Sequence, residues 1–212
     1  MTAVGSSHVV PGVEANGSRR FALVTSSIIN LLKDIYRVFR NVPDRVLHRR
    51  RHAAARARLA NLPSPRTILV VCHGNICRSP YLQAVLQRNL PDIVVESSGF
   101  VGSGRPVPEV SLVVSAERGF NLSRFRSRPV TGAIVGAADL IVVMDPGQAK
   151  TLRQVFNVSM SKILIAGDLD PVPEKTRAIA DPWHQPIGVF RSTFDRLDRC
   201  GVTLAAAIRA AR

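Results

Sequence analysis

The spacing of apolar positions changes character along the chain. Phe21, Val24, Ile28, Leu31, Leu32, Ile35 and Val38 recur every three or four positions, with Lys33, Arg37 and Arg40 mostly between them, and this predicts an amphipathic helix. Pro43-Asp44 interrupts the pattern, and a second, strongly basic helical stretch runs from about Arg45 to Leu59 through Arg49-Arg50-Arg51. Pro63-Ser64-Pro65 reads as a linker, because each proline removes a backbone donor and biases the residue before it towards extended geometry. Residues 1–18, rich in Gly, Ser and Val without a period, read as a disordered leader. The chain therefore divides into an extension, residues 1–66, and a domain, residues 67–212.

From Thr67 short apolar runs alternate with helical stretches, which predicts βαβ units and a parallel sheet. Strands are expected at Ile68–Cys72, Ile93–Ser97, Leu140–Met144 and Lys162–Ala166. Helices are expected at Pro80–Leu90, 107–118 and Pro146–Val155, with a long closing helix from Ile187 to Ala211. The fold class is α/β.

Composition narrows the range of functions. The 212 residues are 46% hydrophobic, enough to bury a core, and the three cysteines are too few for a disulfide scaffold. Reduced thiols point to the cytoplasm. No uncharged apolar run approaches the ~18 residues of a membrane-spanning helix. The net charge of +14 is unevenly placed, +9 on residues 1–66 and +5 on residues 67–212. Most of the excess thus lies in the amphipathic, Arg-rich extension, whose expected partner is an anionic membrane surface contacted through residues 19–59. The expected location is cytoplasmic, peripheral to the inner membrane face, and nucleic acid is not an expected partner.

The chemistry is concentrated in Cys72-His73-Gly74-Asn75-Ile76-Cys77-Arg78-Ser79-Pro80. An apolar strand ends in a thiol, an arginine follows, and a helix opens at a proline, which the first helical turn tolerates. Successive backbone N–H groups, the positive end of the helix and the arginine fork together make a cradle for a phosphate dianion. The same field favours the thiolate form of Cys72 and makes it a nucleophile. Gly74 and Asn75 tolerate the left-handed backbone of a tight loop, and the Ser79 hydroxyl is placed to donate to the sulfur.

This segment resembles the Cys-x5-Arg-Ser loop of the low-molecular-weight protein tyrosine phosphatases. A second motif of that family, Asp-Pro followed by an aromatic residue, is matched by Asp181-Pro182-Trp183 about 110 residues downstream. Between them, Glu96-Ser97-Ser98-Gly99, Gly119-Phe120-Asn121-Leu122-Ser123 and Ala138–Asp145 are similar to a strand end, a turn and the third strand of the family. The resemblance implies a flavodoxin-like three-layer sandwich with a four-stranded parallel sheet, carrying the basic helical extension. It also implies hydrolysis of phosphotyrosine proteins through a phosphocysteine: Cys72 as nucleophile, Arg78 binding phosphate, and Asp181 as general acid and then base. His73, Gly74, Asn75, Ile76, Cys77, Ser79 and Trp183 are the implied substrate-binding residues. Neither a metal nor a cofactor is implied. In this family a thiol placed like Cys77 forms a reversible disulfide with the nucleophile, and bacterial members act on tyrosine kinases that govern surface polysaccharide production.

The chain departs from the family at one supporting position. Arg124, Phe125 and Arg126 stand where the family places a histidine that holds the loop asparagine. Two alternatives remain open. An arsenate reductase on the same fold needs two further, closely spaced cysteines, and only Cys200 is left. A phosphate- or membrane-binding module without turnover would make Cys72 incidental.

Overall fold

The computed structural model describes residues 47–211, so the leader and the first amphipathic helix lie outside the described residues. Residues 47–60 form helix α1. There follow β1 (Thr67–Cys72), α2 (Arg78–Asn89), β2 (Val94–Gly99), α3 (Glu109–Ala116), α4 (Gly132–Ala137), β3 (Leu140–Val143), α5 (Pro146–Phe156), β4 (Ile163–Ile165) and α6 (Ile187–Ala210). The four strands are parallel in the order β2-β1-β3-β4.

Alternation along β1 builds the layers. Ile68, Val70 and Cys72 face a core completed by α2 and α6, whereas Leu69 and Val71 face one completed by α4 and α5. Both faces are covered, which is why the strand reads as an unbroken apolar run. On the first side Tyr81 and Phe194 stack at 3.9 Å, joining α2 to α6. Full burial of a side chain such as Phe194 contributes about 1.5–3 kcal/mol.

α1 packs on the domain. Ala55 and Leu59 are buried in the α2–α6 core, and His52 Nδ1 lies 3.1 Å from the carbonyl of Asp168. Arg58 Nη2 lies 2.7, 3.0 and 3.0 Å from the carbonyls of Met160, Ser161 and Ile163, at the start of β4.

Element edges differ from the sequence pattern in ways that bear on the site. α2 begins at Arg78, two residues before the expected Pro80, because a proline in the first turn gives up only an N–H that has no partner inside the helix. β2 runs on to Gly99, where it still pairs with Cys72. α4 is too short to show a period; Thr131 caps it by accepting from the N–H of Ile134 at 3.3 Å. Among the described residues no helix is long and apolar enough to cross a membrane.

Candidate active site

Cys72 is the last residue of β1, at the carboxyl edge of the sheet between β2 and β3. The chain leaves β1 in one direction for β2 and in the other for β3, the switch point where parallel sheets open a crevice. Residues 73–77 loop over that crevice and deliver Arg78 as the first residue of α2.

Asn75 shapes the loop. Its φ is 51°, and its fully buried amide donates to Ser79 Oγ and Ser97 Oγ, both at 2.9 Å, while its Oδ1 accepts from the Arg128 N–H at 2.9 Å. Support for the loop asparagine therefore comes from two serines and a backbone amide. Ser97 is fixed in turn by donating to Gln83 Oε1 at 2.6 Å. The end of β2 secures the other side, with the N–H groups of Phe100 and Val101 donating to the His73 carbonyl at 2.8 and 3.1 Å. A Cβ on Gly99 would lie 2.7 Å from Asn75 N and 2.8 Å from His73 O, so only glycine lets the strand end approach the loop this closely.

Two donors converge on the sulfur. The Asn75 N–H donates to Cys72 Sγ at 3.2 Å, and the Ser79 hydroxyl donates to the same sulfur at 3.0 Å. Because the Ser79 oxygen already accepts from Asn75, its own proton is directed to the thiol. Cys72, His73, Gly74, Ile76, Cys77 and Arg78 line one side of a pocket of about 190 Å³, closed on the other by Val101, Arg105, Asp181 and Trp183. Asn75 and Ser79 stand behind this wall and hold it.

Arg78 is buried and links the loop to the Asp181 segment. Its Nη1 donates to the Ile179 carbonyl at 3.1 Å and its Nη2 pairs with the Asp181 carboxylate. Its Nε is buried without a partner among the described residues. The segment before Asp181 is tied down by Ile179 N–H donating to Met144 O at 2.8 Å and by Arg196 donating to Ala178 O and Thr176 O at 2.9 and 2.7 Å. Asp170, fully buried, orients Arg196 and Arg199. Burial alone would raise its pKa, but the Arg199 hydrogen bond, the Val172 N–H and the two guanidinium charges outweigh it and hold the carboxyl below its ordinary value. Trp183, 40% exposed, forms the rim beside His184.

Burial, with Cys72 and Asp181 nearby, pushes the Cys77 thiol up to about 12. Cys200, in α6, is likewise pushed up to about 12, chiefly by burial, and does not line the pocket. Sequence reasoning missed Val101 and Arg105. Their loop carries no motif, and the one local signal was the pair of glycines, Gly102 and Gly104, beside Arg105.

The family model described as Low molecular weight phosphotyrosine protein phosphatase matches residues 67–212. A probable low molecular weight protein-tyrosine-phosphatase, EpsP of Ralstonia nicotianae, is 35% identical over 135 residues, covering 63% of this chain and 90% of that protein. Among solved structures, Vibrio vulnificus Wzb in complex with benzylphosphonate is 29% identical with a TM-score of 0.61, covering 66% of this chain and 97% of that one. The YwlE arginine phosphatase of Geobacillus stearothermophilus is 28% identical with a TM-score of 0.63, covering 69% and 94%.

Proposed function

Because the chain belongs to the low molecular weight phosphotyrosine protein phosphatase family, we propose that its pocket hydrolyses protein phosphotyrosine through a phosphocysteine on Cys72. The observation that carries this reading is a thiol at the base of an anion cradle, with Arg78 bridging from that cradle to Asp181. The Cys72 sulfur attacks phosphorus in line with the leaving tyrosyl oxygen. Loop N–H groups and Arg78, whose buried Nε is a donor in reserve, hold the three remaining oxygens. The dianion competes with Asp181 for the Arg78 fork. Asp181, protonated, donates its proton to the leaving oxygen and, as a carboxylate, takes one from the water that cleaves the S–P bond. Ser79 stabilises the sulfur as it departs.

One relative is an arginine phosphatase, so the leaving group needs an argument. The walls above the sulfur are Ile76 and Trp183, with the Arg105 guanidinium at the mouth. An aryl ring fits that slot, and the ligand of the Vibrio relative, benzylphosphonate, is also aromatic. A second guanidinium, on the substrate, would meet like charge. A relay of the arsenate reductase type lacks its partner, since Cys200 is away from the pocket. The expected client is a phosphotyrosine protein, a tyrosine kinase of surface polysaccharide production in our reading. Nucleic acid is not an expected partner.

The basic extension supports peripheral attachment to an anionic membrane. Within the proposed contact, residues 19–59, Arg49, Arg50 and Arg56 are exposed on α1 while Ala55 and Leu59 are buried against the domain; residues 19–46 lie outside the described residues. Cosedimentation with phosphatidylglycerol vesicles checks this. The enzymatic reading is checked by p-nitrophenyl phosphate, phosphotyrosine peptide and phosphoarginine peptide. Turnover of the first two that vanishes in Cys72→Ser is expected; preference for phosphoarginine, or an active Cys72→Ser variant, contradicts it.

A further inference from the structure

Arg105 is built into the mouth of the pocket. Its N–H donates to Ser127 Oγ at 3.0 Å and its carbonyl accepts from the Ser127 N–H at 2.9 Å, with Ser127 itself buried. Gly102, at φ 78°, makes room for the side chain: a Cβ there would lie 2.6 Å from Arg105 Cδ and 3.0 Å from Nη1. The guanidinium carbon sits 5.7 Å from the centre of the Trp183 ring, and Nη1 lies 3.5 Å from where a Cβ would project from Gly74. The residue is half-buried. Arg78, Arg128, Arg177 and Arg196 each pair with a carboxylate, whereas among the described residues the Arg105 guanidinium has no hydrogen-bond acceptor and no acidic partner.

A planar fork held in place against an aromatic wall, with its donors unspent at the opening of an anion pocket, is an anion receptor. The phosphate group belongs at the base, with Cys72 and Arg78. Arg105 stands at the mouth beside the exposed Trp183, where the polypeptide on either side of a bound phosphotyrosine must pass. We infer that Arg105 receives a carboxylate side chain flanking the phosphotyrosine, so that this phosphatase selects acidic phosphopeptides. The inference rests on the phosphotyrosine reading above and adds the class of sequence around the tyrosine.

The test compares kcat/KM of the full-length chain on paired phosphotyrosine peptides carrying Glu or Gln at the positions either side of the tyrosine, with p-nitrophenyl phosphate alongside. A half-exposed ion pair is worth up to about 1 kcal/mol, so a preference of about fivefold for the Glu peptide is expected at low salt. That preference shrinks as salt is added. Arg105→Gln brings the ratio to one, and Arg105→Glu turns it towards a Lys-flanked peptide. A wild-type ratio near one at low salt overturns the inference. So does an Arg105→Gln variant that loses activity on both peptides equally, because Arg105 would then serve the phosphate itself. Should that variant not fold, the salt dependence of the wild-type ratio still decides, a salt-independent ratio being contrary. Wild-type protein inert on all three substrates would instead overturn the phosphatase reading, and this inference with it.

Discussion

Arg78 and Asp181, 103 residues apart in sequence, form an ion pair across the mouth of the phosphate loop, and the same guanidinium also donates to the Ile179 carbonyl. The cradle and the segment carrying the proposed general acid are thereby tied together. In the proposed mechanism the dianion competes with Asp181 for the Arg78 fork, so binding phosphate and freeing the acid are coupled.

Replacing Asp181 with Asn removes the transferable proton while keeping the size of the side chain. General acid catalysis contributes about 10²–10⁴-fold. kcat on phosphotyrosine peptide should fall by about that factor, whereas inorganic phosphate should still inhibit at a similar or lower concentration. Rates measured across aryl phosphates of graded leaving-group pKa should depend steeply on that pKa in Asp181→Asn and weakly in wild type. Equal slopes would remove Asp181 from the acid role.

Gly99→Ala tests the seating of the loop on β2. The new methyl would meet the backbone at Asn75 N and His73 O, atoms that cannot move without the loop. Overpacking of this kind costs about 1–3 kcal/mol. Urea denaturation should report that loss, and activity should drop with it, while Val94→Ala, exposed on the same strand, should leave both near wild type.

Acid stability should report Asp170. Its folded pKa lies below the ordinary 3.8, so the fold favours the ionised carboxylate and gains stability from it above that value. This contribution is complete above about pH 5 and disappears as pH falls through 3.8 towards the folded value. Asp170→Asn leaves Arg196 and Arg199 without their carboxylate, and breaking a buried pair costs about 3–5 kcal/mol. Chemical denaturation from pH 3 to pH 7 should show the variant less stable at neutral pH and with a flatter acid limb. An acid limb as steep as that of wild type would place the titration elsewhere.

Cys77 should behave as a thiol throughout the neutral range. With its pKa pushed up to about 12, its thiolate forms only well above the pH of any assay. Iodoacetamide at pH 7 to 9 should alkylate Cys72 and spare Cys77 and Cys200, and inorganic phosphate should protect Cys72. Peptide mass spectrometry reads all three sites. Labelling of Cys77 as fast as Cys72 would contradict this ordering. Cys77 lines the same pocket as Cys72, so peroxide treatment tests for a disulfide between them, which reductant should reverse with recovery of activity.

The parts of the site that could be read in the sequence are those fixed by neighbouring residues. The run Ile68–Cys72, the Gly74-Asn75 turn and the helix opening near Pro80 are contiguous, so their residue types report their geometry directly. Asp181-Pro182-Trp183 was legible only as a second motif in order. What the sequence hid depends on distant partners. Arg105 owes its position to Ser127, and the loop asparagine is held by the Arg128 backbone, whose amide has no residue-type signature. The anchoring of residues 176–178 by Arg196, and the docking of α1 through Arg58 and His52, likewise join places far apart in the chain. α4 escaped notice because six residues are too few to display a helical period.

Trapping the covalent intermediate tests the central claim most directly. Asp181→Asn and wild-type protein would be mixed with p-nitrophenyl phosphate, quenched within milliseconds, digested under conditions that preserve S–P bonds, and analysed by mass spectrometry. Our account predicts one phosphoryl group per chain, on Cys72, formed as p-nitrophenol is released and lost as phosphate appears. Product release with no phosphocysteine at any time, or phosphate found on another residue, would contradict it.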